Sequence, residues 1–488
     1  MPIHPFHLER MSMKAFERLS SRIIGRVNVN LRERGLDVGP FVKNLFSAGV
    51  MAGTHAHYGM TPHLPLYFRV KDSGLAGSYI LGKCEVEHSL IFASDLRGDE
   101  LKLRDETLTI GDLTLPVLED EVIVVKDSAL CNTLVHNFSH DPELPEWFLI
   151  QNSLALHYSN IHGSPLEGCF LAPMATVDLT TARGSLVGTF AYVQVGEIIH
   201  QVVEPGEIWI QADGAFEFHY RHPAGVLEKY VAMTPEGGVR GSLIDFIEAR
   251  KPEIEAIFDQ PHRTPPIPVP PSAHLSRYAV IKGDTRIAEN VFVSQRSYLD
   301  GADLGPGANA QENCFIINSR LETENITAHG GKIIHATLGA RVFVGFNSFV
   351  NGKAEAHVTI GGGSIVMPHT IIDADIPLEI PGRRILWGCI RSREDLETHS
   401  LSLDQLSAVD GEASLGGMRF TGSGSALVQA FQRRIEHILE ANGAYFNGTA
   451  TRGHAQKSQN AVFNNLPTYT DGECQGLCPD IHIQPPKL

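Results

Sequence analysis

Residues 281–316 read IKGDTRIAENVFVSQRSYLDGADLGPGANAQENCFI, and their spacing decides the fold. Ile281, Ile287, Val293 and Leu299 recur at a strict period of six, and after a one-residue slip Leu304, Ala310 and Ile316 continue it. Leu338, Val344 and Val350 repeat the interval, as do Ile360, Val366 and Ile372. Glycine follows Leu304, Leu338, Val344 and Ile360. A period of six suits neither an α-helix, at 3.6 residues per turn, nor an alternating strand. It suits a solenoid with a triangular coil. Each short face points one aliphatic side chain into a narrow core, and a small or left-handed residue turns each corner.

Working outward, a proline-rich spacer (Thr264 to Pro271) precedes this region, and a weaker form of the pattern precedes the spacer. Its marks are Ile80, Val86 and Phe92, then Leu171 and Val177, then Val187 and Val193. The expected fold class is therefore mainly β, a left-handed parallel β-helix in two segments. The segments are expected at 76–196 and 272–390, with an inserted α+β stretch and linker at 197–271 between them. Residues 1–75 carry helical patterning from about 12 to 48, including Met13, Phe16, Leu19, Ile23 and Ile24 on one face. In 391–488, Leu427, Phe431, Ile435, Ile438 and Leu439 predict a capping helix over 426–442, followed by a tail that wraps a neighbour or stays loose.

Composition narrows the function classes. Hydrophobic residues at 43% and charged residues at 20% fit an ordinary globular protein. A net charge of −16 supplies no basic stripe for a nucleic-acid backbone. No apolar run approaches the ~20 residues needed to span a bilayer, and Met1 to Lys14 lacks the apolar core of a signal peptide. The seven cysteines are odd in number and scattered, which points to a reducing compartment, with cytoplasm expected. Cys474 and Cys478 read as ordinary thiols, since no second ligand pair stands nearby.

The chemistry-bearing residues lie mostly in the first segment. Leu96-Arg97-Gly98-Asp99-Glu100 ends one β-type run and Thr133-Leu134-Val135-His136 another. Leu156-His157-Tyr158-Ser159-Asn160-Ile161-His162-Gly163 then places two histidines five residues apart. On a six-residue coil that spacing predicts that both fall near one corner, with His136 on a neighbouring coil. Three neutral imidazoles with an open fourth position are what a catalytic metal requires. His140 reads as a loop residue.

Over roughly residues 77–200 the segment resembles gamma-class carbonic anhydrases of the trimeric hexapeptide-repeat superfamily, through Arg-x-Asp, a histidine, and His-x4-His-Gly. The resemblance implies His136, His157 and His162 as metal ligands, with His157 reaching a metal shared with the adjacent subunit. It implies Arg97 and Asp99 as an interface ion pair, Glu100 as a proton carrier, zinc (or ferrous iron or cobalt) as cofactor, and a homotrimer. The glutamine that the family places six residues before the first ligand is replaced by Leu130. In the second segment Gln311 stands in a similar motif, with His329 and His335 six apart, as a possible second site.

Three functions follow. The first is hydration of carbon dioxide to bicarbonate. The second is acyl or acetyl transfer from coenzyme A, with His335 as base. The third is a non-catalytic trimeric scaffold.

Overall fold

The computed structural model describes residues 13–484, except 62, 64–65, 99, 105, 111–112, 138–146, 261–263, 450–452 and 454–460. Two stacks of parallel β-coils lie side by side. In the first, strands from Ala56–Met60 to Glu207–Ala212 fall into three sheets, each visited once per coil. The second runs from His274–Leu275 to Cys389–Ile390 and again has three sheets. Each stack has its own aliphatic core. Ile80, Leu96, Val135, Ile161 and Val177 belong to the first, and Leu299, Ile316, Ile333, Val350 and Ile372 to the second.

Strand register shows why the period is easier to read in the second stack. There Leu299, Ile316, Ile333 and Val350 align 17 residues apart, close to three six-residue faces. In the first stack Ile161, Val177 and Val193 align 16 apart. The first stack also carries an excursion between Arg97 and Val122, which includes the hairpin Thr107–Ile110 with Leu113–Pro116, and its sequence runs ten residues between strands Leu134–His136 and Trp147–Gln151. Shorter faces and insertions break the six-residue rhythm without breaking the sheets.

Left-handed backbone turns the corners. Asn132, Tyr158, Met174 and Phe190 in the first stack, and Arg296, Asn313, Gly330 and Asn347 in the second, all have positive φ. Most are not glycine, so the sequence advertises few of these corners.

Helices cover the seam. Ser242–Glu248 and Lys251–Phe258 bury Leu243, Ile244, Ile247, Ile257 and Phe258 against both stacks on one side. On another, helix Gly424–Ala441 buries Leu427, Phe431, Ile435 and Leu439 with Tyr192 of the first stack and Phe343 and Phe346 of the second. The hairpin Asp410–Leu415 with Met418–Ser423 extends a first-stack sheet through Phe216–Arg221. The described part of the tail corrects the expectation of a loose or neighbour-wrapping end. Val462–Leu466 pairs with Ala56–Met60, and Ile481–Ile483 with Phe68–Lys71, so the chain returns to satisfy the open edge of its own first coil. Among the described residues no helix is long and apolar enough to cross a membrane, and all seven cysteines are free.

Candidate metal centre between the two coil stacks

Parallel register builds the site as a ladder. On one first-stack sheet, Leu81, Arg97, His136, His162 and Asp178 lie directly above one another on successive coils. The preceding residue of each strand (Ile80, Leu96, Val135, Ile161 and Val177) points into the core, so alternation turns these five outward. Their outward face meets the second stack rather than solvent.

From the second stack, the corner residues Glu312 and His329, 17 apart in sequence, face that ladder. His136 Nδ1 lies 3.0 Å from His329 Nε2, and the rings of His136 and His162 are 5.2 Å apart. One ring nitrogen from each of His136, His162 and His329 falls within 4.8 Å of the other two, and all three residues are buried. His162 Nδ1 is hydrogen-bonded to Asp178 at 2.7 Å. Glu312 Oε2 stands 2.6 Å from His329 Nδ1. The Asp178 carboxylate favours the Nδ1–H tautomer of His162, with the lone pair on Nε2, an outer arrangement usual around metal-bound histidine.

Burial favours the neutral form of His162 and His329. Burial pushes His162 down to about 3 against the pull of Asp178. His329 is also held well below its ordinary value by burial, with His136 and Arg97 adding to the effect. Burial alone would raise the Asp178 carboxyl, but Arg434 and His162 outweigh it and hold it well below the usual range. Arg434 Nη1, from the C-terminal helix, reaches Asp178 Oδ2 at 2.6 Å.

Beside the cluster is a cavity of about 40 Å³, lined in part by Glu100, His136, His162, Gln311 and Arg434. Glu100 Oε1 lies 3.5 Å from His136 Nε2. The space accommodates an ion with a water or two.

The sequence-predicted residues sort clearly. Arg97, Glu100, His136 and His162 converge, and Gln311 and His329 join them from the second stack. His157 does not. It occupies the turn before strand Asn160–His162, where its Nε2 lies 3.8 Å from Cys131 Sγ; burial, helped by Lys251, lowers it to about 4. A spacing of five places one histidine at a corner and the other on the following face, so their side chains diverge. His335 sits half-buried at the next corner of the second stack, with positive φ. Arg97 pairs with Glu312 across the seam and donates to Ser294 Oγ at 3.0 Å; Asp99, its expected partner, lies outside the described residues, as does His140. Leu130 is a core residue of the first stack.

Sequence reading missed Glu312, Asp178 and Arg434, and it placed His329 and Gln311 in a separate, degraded site. The available signal was complementarity. The first segment lacks the glutamine and the second carries it.

Comparison with known proteins agrees with the fold. Residues 113–235 match the family described as hexapeptide repeat including loop. No curated protein matches the chain. The crystal structure of a putative acetyltransferase from Desulfovibrio desulfuricans G20 is 47% identical, with a TM-score of 0.91, over 98% of this chain and 100% of that one. Sharing nearly half its residues with that structure from end to end, and built from the same repeats, this chain belongs to the hexapeptide-repeat superfamily.

Proposed function

We propose that the chain is a metal-dependent enzyme of the gamma-class carbonic anhydrase type, acting on carbon dioxide at His136, His162 and His329. The convergence of three buried imidazoles from two coil stacks carries this reading. The donor set fits zinc, and ferrous iron or cobalt equally, because imidazole ligation does not separate them. When bound, such an ion lowers the pKa of a coordinated water towards 7 and so supplies a nucleophile at neutral pH.

The chain's own groups account for the rest. Gln311 borders the cavity with an amide able to orient a substrate oxygen. Glu100 is placed beside His136 to accept a proton and pass it outwards. Ala328, Phe343, Phe346 and Ile438 complete a mostly apolar wall that limits bulk water. The coils are read as left-handed, and a homotrimer is proposed because hexapeptide-repeat proteins commonly trimerise. The wall that the sequence assigned to a neighbouring subunit is supplied within the chain by the second stack.

A second reading, acyl transfer from coenzyme A, is favoured by the 47% identity to a structure described as a putative acetyltransferase. Its expected base, His335, lies at a corner apart from the histidine cluster.

Elemental mass spectrometry on protein purified without chelator separates the two. Near-stoichiometric metal, lost in His329→Ala and His136→Ala but kept in His157→Ala, supports the metal centre. No metal in wild type after incubation with zinc or anaerobic ferrous iron, together with saturable coenzyme A binding, overturns it in favour of acyl transfer.

A further inference from the structure

A second ladder runs up the middle sheet of the second stack. Val280, Tyr298, Phe315, Lys332, Phe349 and Ile371 are aligned by register, all facing outwards from the aliphatic core. Five rungs are apolar or aromatic, and one is lysine. Lys332 is 1% exposed. Its Nζ donates to the carbonyl of Gly330, and among the described residues it forms no ion pair with a carboxylate. An ammonium group left this way in the interior is costly, so burial brings the amine down to about 7. A leucine at this rung would continue the packing at no such cost. A local rule broken without compensation marks a site.

The rung opens on a cavity of about 350 Å³ along the seam, separate from the one beside the histidines. Ile254 and Phe258 of helix Lys251–Phe258 line it, with Phe92, Leu134 and Phe315 as further apolar wall. Polar groups gather where Lys332 enters. A methyl group on Gly330, which has φ +72°, would fall 2.3 Å from Asn347 Oδ1 and 3.7 Å from Lys332 Nζ, so these atoms crowd one spot. The other charges facing the cavity are Arg296, Asp95 and Lys251, which are paired, and the carboxylates Glu255 and Asp259. Arg296 Nε binds both Asp95 carboxylate oxygens, at 2.9 and 3.0 Å. Lys251 pairs with Glu248 at 3.4 Å. Glu255 and Asp259 belong to the roof helix and its end.

We propose that this cavity binds a small organic monocarboxylate, with its carboxylate on Lys332 Nζ and its hydrocarbon body along Phe92, Phe315 and Phe258. One buried cation matches one negative charge, whereas a phosphate dianion would need more. The volume lies at the small end of ordinary ligand pockets, and the predominantly apolar wall suits an aliphatic or aromatic body. The inference does not depend on the metal reading.

Ligand-observed NMR on the full-length chain tests it, using acetate, butyrate, hexanoate and benzoate beside their matched primary amides. Saturable binding of at least one carboxylate is expected, with its amide at least tenfold weaker. Lys332→Met should weaken the carboxylate at least tenfold while circular dichroism and metal content stay at wild-type levels. His136→Ala should leave binding unchanged. The proposal is overturned if no carboxylate saturates, if acid and amide bind alike, or if Lys332→Met retains affinity. It is equally overturned if binding disappears in His136→Ala, which would place the anion at the histidine cluster.

Discussion

Arg97 and Glu312 join the two stacks through an ion pair whose side chains are 3% and 1% exposed. Replacing one partner removes this compensation from the other charge, in a medium that solvates it poorly. Arg97→Met or Glu312→Leu alone should therefore cost about 3–5 kcal/mol. The double variant removes both charges, so its cost should fall about 2–3 kcal/mol short of the sum of the two single costs, the coupling energy of the pair. The Glu312 variants also remove the carboxylate that stands 2.6 Å from His329 Nδ1. Urea unfolding, followed in parallel by far-UV circular dichroism and tryptophan fluorescence, measures the cycle, and coincident transitions validate the free energies. If each single variant costs less than about 1 kcal/mol, or the two effects simply add, the pair does not hold the seam and the reasoning fails.

Other outcomes are equally specific. Lys332 has a folded-state pKa of about 7 against an ordinary 10.5, so the unfolded chain binds more protons between those values. Its penalty is full below pH 7 and fades as pH rises towards 10.5, a gain of roughly 4–5 kcal/mol across the window. Melting temperatures from pH 6.5 to 9.5 should show a smaller upward trend in Lys332→Met than in wild type; identical slopes would refute the assignment. Asp178→Asn keeps the shape around His162 but weakens the hold on its Nδ1–H. Metal affinity, measured by competition with a chromophoric chelator, should fall about 10–100-fold. Gly330→Ala forces a Cβ onto a positive-φ corner against Asn347 Oδ1. It should cost about 1–3 kcal/mol in the same urea assay, and wild-type stability would show that the corner relaxes freely.

Much of the fold was legible because a solenoid writes its core into the sequence at a fixed interval. Each coil sits on the next, so the interval survives wherever the faces keep their length, as at Leu299, Ile316, Ile333 and Val350. Amphipathic spacing likewise located the helix at Gly424–Ala441. His136, His162 and Arg97 could be singled out because they end short strands within a recognisable order of motifs, and Glu100 because it closely follows Arg97.

The partners of those residues were not legible, since no spacing along one chain encodes how two stacks meet. His136 reaches His329, and Thr176 reaches His369, across the same separation of 193 residues, a relation fixed by lateral packing rather than by either repeat. The same packing gives Arg97 its Glu312 and brings Gln311 beside a segment that has Leu130 in its place. His157 stands apart from the cluster within the chain for a purely geometric reason. Sequence distance within a coil does not say whether a residue sits on a face or at a corner, and left-handed corners built from Asn132, Tyr158 and Met174 carry no glycine to mark them. The sequence by itself determined two β-solenoids and half of a histidine site; the lateral packing of one stack against the other decided which residues complete it.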